Sequence, residues 1–137
     1  MLDAVAPSSP RRYRVLVAED NIINQKLLTR LLERAGHEVR LAGNGREALA
    51  AFEGERFDLV LMDLQMPEMD GLEAAERIRE RERQTGGRVP IVAVTTSSSD
   101  DDRRRCLDAG MDDLVPKPVE PPRLFQTIAA VLGTSTP

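Results

Sequence analysis

The sequence predicts an α/β fold, a doubly wound five-stranded parallel sheet carrying five helices. Short apolar runs alternate five times with longer stretches of helical period, which is the pattern of repeated β-then-α units. Five such units imply a parallel sheet covered on both faces, and the run Leu59–Met62 is apolar throughout. Right-handed crossovers between parallel strands then lead to the doubly wound arrangement.

The elements follow in order. Arg14–Ala18 (RVLVA) is a β-branched run, and after it Ile22, Ile23, Leu27, Leu28, Leu31 and Leu32 recur at helical spacing. Gly36 closes that helix, and His37–Leu41 alternates like a strand. Gly45–Phe52 reads as a helix and Leu59–Met62 as a fully apolar strand. Gly71–Gln84 is strongly helical, with Glu76 and Arg79, or Glu80 and Arg83, at supportive spacing. Gly86 and Gly87 end it, and Pro90 precedes the strand Ile91–Thr95. Asp100–Ala109 is a fourth helix, its early acids and later bases suiting the helix dipole. Leu114–Val115 is a short fifth strand, and Pro121–Leu132 a last helix with proline in its first turn. Residues 1–12, rich in Pro, Ser and Ala, read as a linker, 13–133 as the folded domain and 134–137 as a tail.

Composition narrows the function. At 137 residues, 41% of them hydrophobic, the chain suits one domain that forms a core without disulfides. Its single cysteine, Cys106, fits a reducing compartment and reads as a core residue; a cytoplasmic location is expected. A net charge of −4 argues against direct nucleic-acid binding. No apolar stretch is long enough to cross a membrane, and residues 1–12 lack a signal-peptide core. Met62, Met66, Met69 and Met111 read as packing residues, and His37 as an ordinary, partly exposed one.

In a doubly wound sheet, ligands bind beyond the carboxyl ends of the strands. Those ends carry Glu19-Asp20-Asn21, then Asp63, Thr95 and Pro116-Lys117-Pro118. Clustered carboxylates repel one another unless a cation joins them, and an all-oxygen set suits a hard ion such as Mg²⁺. Lys117 could bind a phosphoryl oxygen, the Thr95 hydroxyl could donate to another, and an aspartate can accept phosphate covalently. Phosphoryl transfer depends mainly on such positioning and charge neutralisation. No P-loop is present, so nucleotide is not the expected donor. Simpler roles compete: Asp63 as a turn cap, Asp20 or Asn21 as a helix N-cap, Lys117 as a surface lysine. The convergence of all of them on one sheet edge favours the functional reading.

The segments VLVAEDN, LVLMDLQMPEMDGLEA, IVAVTT and DAGMDDLVPKP resemble the receiver domains of two-component response regulators, from about Arg14 to Leu132. Asn24-Gln25 after the acidic pair, and Cys106–Asp113, particularly resemble receivers attached to hybrid sensor histidine kinases. The resemblance implies a flavodoxin-like strand order 2-1-3-4-5. It implies Asp63 as phosphoacceptor, with Asp20 as a direct Mg²⁺ ligand, Glu19 acting through water, and Gln65 giving its backbone carbonyl. Thr95 and Lys117 would contact the phosphoryl group, and the Lys117–Pro118 bond would be cis. Gln65 and Ser97 match positions that tune hydrolysis of the acyl phosphate.

The function expected is therefore a signalling switch and not an enzyme acting on a separate substrate. A phosphohistidine on a histidine kinase or a histidine phosphotransfer domain would donate to Asp63, and the face of helix four, strand five and helix five would respond. No output domain is expected after Leu132, so the chain reads either as a single-domain regulator or as a receiver cut from a larger kinase. The Pro/Ser-rich start and hybrid-like motifs lean toward the latter. The sequence departs from the family at Leu114, where many receivers carry a switching aromatic. That departure sustains one alternative, a binding module independent of phosphorylation. A metal-dependent phosphatase or nuclease is the other, but it would favour an acid where Gln65 stands.

Overall fold

A computed structural model describes residues 12–66, 68–96 and 99–133. The expected linker up to residue 11, the tail 134–137 and Ser97 lie outside the described residues. The chain forms β1 (Arg14–Ala18), α1 (Ile22–Arg34), β2 (Glu38–Ala42), α2 (Gly45–Gly54), β3 (Leu59–Asp63), α3 (Gly71–Thr85), β4 (Ile91–Thr95), α4 (Asp100–Asp108), β5 (Asp113–Pro116) and α5 (Pro121–Leu132). The strands pair in parallel in the order β2-β1-β3-β4-β5, as the resemblance implied.

Two sets of side chains alternate along each strand because successive residues point to opposite faces. Leu16, Val60, Met62, Ile91, Ala93 and Leu114 face one layer, packed with Ala48, Ala74, Ile78, Cys106 and Met111 from the α2, α3 and α4 side. Val15, Val17, Leu59, Leu61, Val92 and Val94 face the other, against Leu28 and Leu32 of α1 and Leu124 and Ile128 of α5. Burial on both faces explains why β3 and β4 are buried along their whole length while the edge strand β2 is largely exposed. Each large side chain removed from water this way contributes about 1.5–3 kcal/mol.

Helix starts and stops are local. Asn21, Asn44, Asp70 and Ser99 cap α1 to α4 through side-chain oxygens, and proline opens α5. Gly36 ends the turn after α1 at φ 95°, where a side chain would be strained.

The structure revises several sequence-based expectations. The second strand begins at Glu38 and not His37, because the His37 ring Nδ1 accepts the Tyr13 backbone N–H (3.2 Å). The third strand includes Asp63, and the fifth extends from Asp113 to Pro116. Arg79 does not serve Glu76 on its own helix face. Its guanidinium turns to Glu82 (2.6 Å) and Asp112 (3.0 Å), joining α3 to the start of β5.

Candidate functional site

Parallel strands end on the same side of the sheet, so the topology gathers what the sequence distributes. β1 delivers Glu19 and Asp20, β3 ends on Asp63, β4 on Thr95, and β5 leads into Lys117. One carboxylate oxygen from each of Glu19, Asp20 and Asp63 lies within 4.8 Å of the others. Lys117 Nζ donates to Asp63 Oδ2 at 3.1 Å and stands 3.0 Å from Glu19 Oε1. Glu19 and Asp63 are buried, whereas Asp20 is exposed at the rim. The Lys117–Pro118 peptide is cis.

Local bonds fix each group. Glu19 Oε2 accepts the Asn21 backbone N–H (3.1 Å), and the Gln25 amide donates to the Glu19 carbonyl (2.6 Å). Asn21 in turn caps α1, its Oδ1 accepting from the N–H groups of Ile23 (2.9 Å) and Asn24 (3.1 Å). Asp63 Oδ1 accepts the Gln65 N–H (3.1 Å) while Oδ2 accepts from Lys117, so one carboxylate both caps the turn and joins the cluster. The Lys117 N–H donates to the Thr95 carbonyl (2.8 Å), tying the ends of β4 and β5 together beside buried Thr95.

Burial pushes the Glu19 carboxyl above the ordinary glutamate range, and neighbouring Asp63 adds to the rise against the opposing contact with Lys117. Burial works to lower the Lys117 pKa, but its contacts with Glu19 and Asp63 outweigh it and hold the ammonium charged.

These residues fit a hard divalent cation. Three carboxylates against one ammonium leave two net negative charges when all are ionised. Glu19 Oε1, though close to Lys117, is buried without a hydrogen bond; the contact is an ion pair not aligned for one. A buried carboxylate oxygen lacking a donor is what a metal-bound water would satisfy.

The structure thus brings Glu19, Asp20, Asp63 and Lys117 together and sets Thr95 at the adjoining strand end. Gln65 touches Asp63 through its N–H, with its side chain exposed. Asn21 caps α1, one of the roles the sequence offered for it, whereas the bond from Gln25 to Glu19 was not foreseen. Its signal was an amide side chain in the first turn after an acidic pair.

Residues 15–129 match the model of the response regulator receiver domain. The chain belongs to the response regulator receiver domain family. Relatives of this receiver domain include the sensor protein GacS of Pseudomonas syringae pv. syringae, 44% identical over 96% of this chain and 15% of that protein. The hybrid signal transduction histidine kinase I of Dictyostelium discoideum is 42% identical over 84% of this chain and 7% of that protein. The receiver domain therefore spans only a small part of the curated relatives it matches. Among solved structures, the receiver domain of a Pseudomonas aeruginosa sensor histidine kinase, with a magnesium ion coordinated in its active-site cleft, superposes with a TM-score of 0.80 at 35% identity, covering 90% of this chain and 99% of that one. The receiver domain of Ssk1, crystallised with the histidine phosphotransfer protein Ypd1 of Saccharomyces cerevisiae, gives 0.84 at 38% identity, covering 88% of each. Within this receiver domain Leu114 is buried, packed with Cys106 and Ala109 on the α4 side of the sheet.

Proposed function

We propose that this receiver domain accepts a phosphoryl group from a phosphohistidine onto Asp63 in a Mg²⁺-dependent reaction and so switches a protein-interaction surface. The observation that carries the reading is the shared contact of one ammonium with two buried carboxylates, Lys117 with Asp63 and Glu19, beside a third acid. An Asp63 oxygen attacks phosphorus, the P–N bond to the donor imidazole breaks, and the departing imidazole takes up a proton from solvent. Lys117 neutralises charge on the transferring group, and the Thr95 hydroxyl donates to another of its oxygens. Mg²⁺, held by Asp20, Asp63, the Gln65 carbonyl and, through water, Glu19, would neutralise the remaining phosphoryl charge.

The domain turns over only its own phosphoryl group, so it acts as a phosphoacceptor and not as an enzyme on a separate substrate. Its donor is a histidine kinase or a histidine phosphotransfer domain, and kinase domains of a longer parent are candidates. Ile22 and Ile23, 63% and 72% exposed at the start of α1, offer such a donor an apolar approach beside Asp20. No described helix is long and apolar enough to cross a membrane. The lone buried thiol of Cys106 supports a cytoplasmic setting. The Lys117-to-Thr95 backbone bond gives the site a direct mechanical link to β5, and through it to the face formed by α4, β5 and α5.

The test is intact mass after incubation with acetyl phosphate or a phosphorylated histidine donor, with and without Mg²⁺, for the wild type and Asp63→Asn. One phosphoryl addition requiring both Mg²⁺ and Asp63 is expected. No addition from either donor would leave the binding module as the better account.

A further inference from the structure

We propose that Gly45, the first residue of α2, is a positioning residue for the segment that joins β3 to α3. Through it α2 acts as a fixed stop that holds the metal-binding edge of the site. The inference rests on the chemistry proposed above and extends it to a helix that supplies no side chain to the cleft.

Gly45 is buried, and its N–H donates to the Met69 carbonyl at 3.1 Å. A Cβ at this position would lie 2.2 Å from that oxygen and 3.0 Å from its carbonyl carbon, inside any tolerable contact. Met69 immediately precedes Asp70, which caps α3 by accepting the Glu73 N–H at 2.9 Å. The next residue, Gly71, reaches back to the other end of the segment: its N–H donates to the Leu64 carbonyl (3.0 Å), and a Cβ on it would lie 2.2 Å from the Asp63 carbonyl oxygen. Two helix starts therefore press without clearance on the backbone of Met69 at one end of the segment and of Asp63 and Leu64 at the other.

Neither helix can readily retreat. Ala48 seats α2 in the core, and Ala74, Ala75 and Ile78 seat α3. On the outer side Arg46 reaches Glu68 at 3.7 Å, and Glu68 holds φ 68°, a left-handed conformation uncommon for a residue with a side chain. A methyl group at position 45 pushes Met69, and the displacement passes through Asp70 and Gly71, which abuts the Asp63 and Leu64 carbonyls, to the backbone beside Gln65. That residue is bonded to Asp63 through its N–H and is the proposed source of a carbonyl ligand.

The experiment compares Gly45→Ala with Gly54→Ala, at the far end of the same helix, where nothing lies within 4 Å of an added Cβ. Calorimetric titration with Mg²⁺ and amide NMR spectra of the metal-free chain are recorded for both. In Gly45→Ala the Leu64–Met66 amide resonances should shift before any metal is added. Its Mg²⁺ affinity should fall about tenfold, as for a group that orients a metal ligand. Gly54→Ala should match the wild type in both. A folded Gly45→Ala with wild-type Mg²⁺ affinity would overturn the proposal. Should Gly45→Ala not fold, Asp70→Ala, which frees the chain beside Met69 without a clash, must bind Mg²⁺ less well than Asp70→Asn, which removes the same charge but keeps an oxygen for the Glu73 N–H; equal binding by the two overturns it too. A wild type that neither binds Mg²⁺ nor takes up phosphoryl would defeat the proposed function itself, whereas a competent wild type with an indifferent Gly45→Ala defeats only the positioning role.

Discussion

Replacing Arg79 by alanine removes the centre of an ion network at the end of the sheet remote from the carboxylates. The guanidinium donates to the Gly110 carbonyl (2.9 Å), Glu82 Oε1 (2.6 Å) and Asp112 Oδ2 (3.0 Å), with only 11% of its side chain exposed. Without it Glu82, 8% exposed, keeps one partner, the Val89 N–H at 2.6 Å, and leaves Oε1 unpaired. Breaking a buried pair from one side costs about 3–5 kcal/mol. Two features reduce that here: Glu82 borders an open cleft that water can enter, and Asp112, 25% exposed, keeps Arg88 and the Ile91 N–H. The expected loss is about 2–3 kcal/mol, or roughly 8–12 °C in Tm for a chain of this size. Urea unfolding followed by circular dichroism measures it. Arg79→Met combined with Glu82→Gln removes both charges while keeping an acceptor for Val89, and should lose less than the single alanine variant. Arg77→Ala, which removes a half-exposed pair with Glu73, should change stability by under about 0.5 kcal/mol. If Arg79→Ala matched that control, the network would be solvated and the reasoning refuted.

Three further outcomes are expected. Asn21→Ala removes the acceptor for two N–H groups at the start of α1 and should cost about 1 kcal/mol, read from the urea midpoint. Burial lowers the His37 pKa, so its neutral form stabilises the fold above the ordinary histidine range, and that contribution is lost as pH falls through the lowered value. His37→Asn keeps an acceptor for Tyr13 but cannot titrate; it should lose less stability than the wild type between pH 7 and pH 5, and equal losses would count against it. Glu19→Gln should raise Tm in Mg²⁺-free buffer at neutral pH, because it removes a charge that burial disfavours, and should weaken the Tm gain on adding Mg²⁺.

The sheet order and the strand-end residues were legible because they depend on periodicity and on chain direction. A strand apolar throughout, such as Leu59–Met62, suits a position covered on both faces, and parallel strands put Glu19, Asp63, Thr95 and Lys117 on one edge. Contacts between distant segments were not legible. Arg79 had a plausible partner in Glu76, but Asp112 competes from 33 positions away, a distance no local pattern records. Gly45 read as an ordinary helix start, since nothing in its neighbourhood announces the Met69 carbonyl against it. Boundaries shifted for a related reason: Asp63 belongs to β3 because Val94 pairs with it across the ladder, whatever its own strand propensity.

The single direction of all five strands has a consequence for how this domain can be joined to others. Every strand runs toward the carboxylates and each connecting helix returns, so β1 begins, and α5 with its left-handed Gly133 cap finishes, on the opposite side of the molecule. Both described ends therefore point away from the cleft. A fusion partner or surface tether attached at either end would present the acidic face outward and unobstructed, and exchanging the attachment between ends would leave that presentation unchanged.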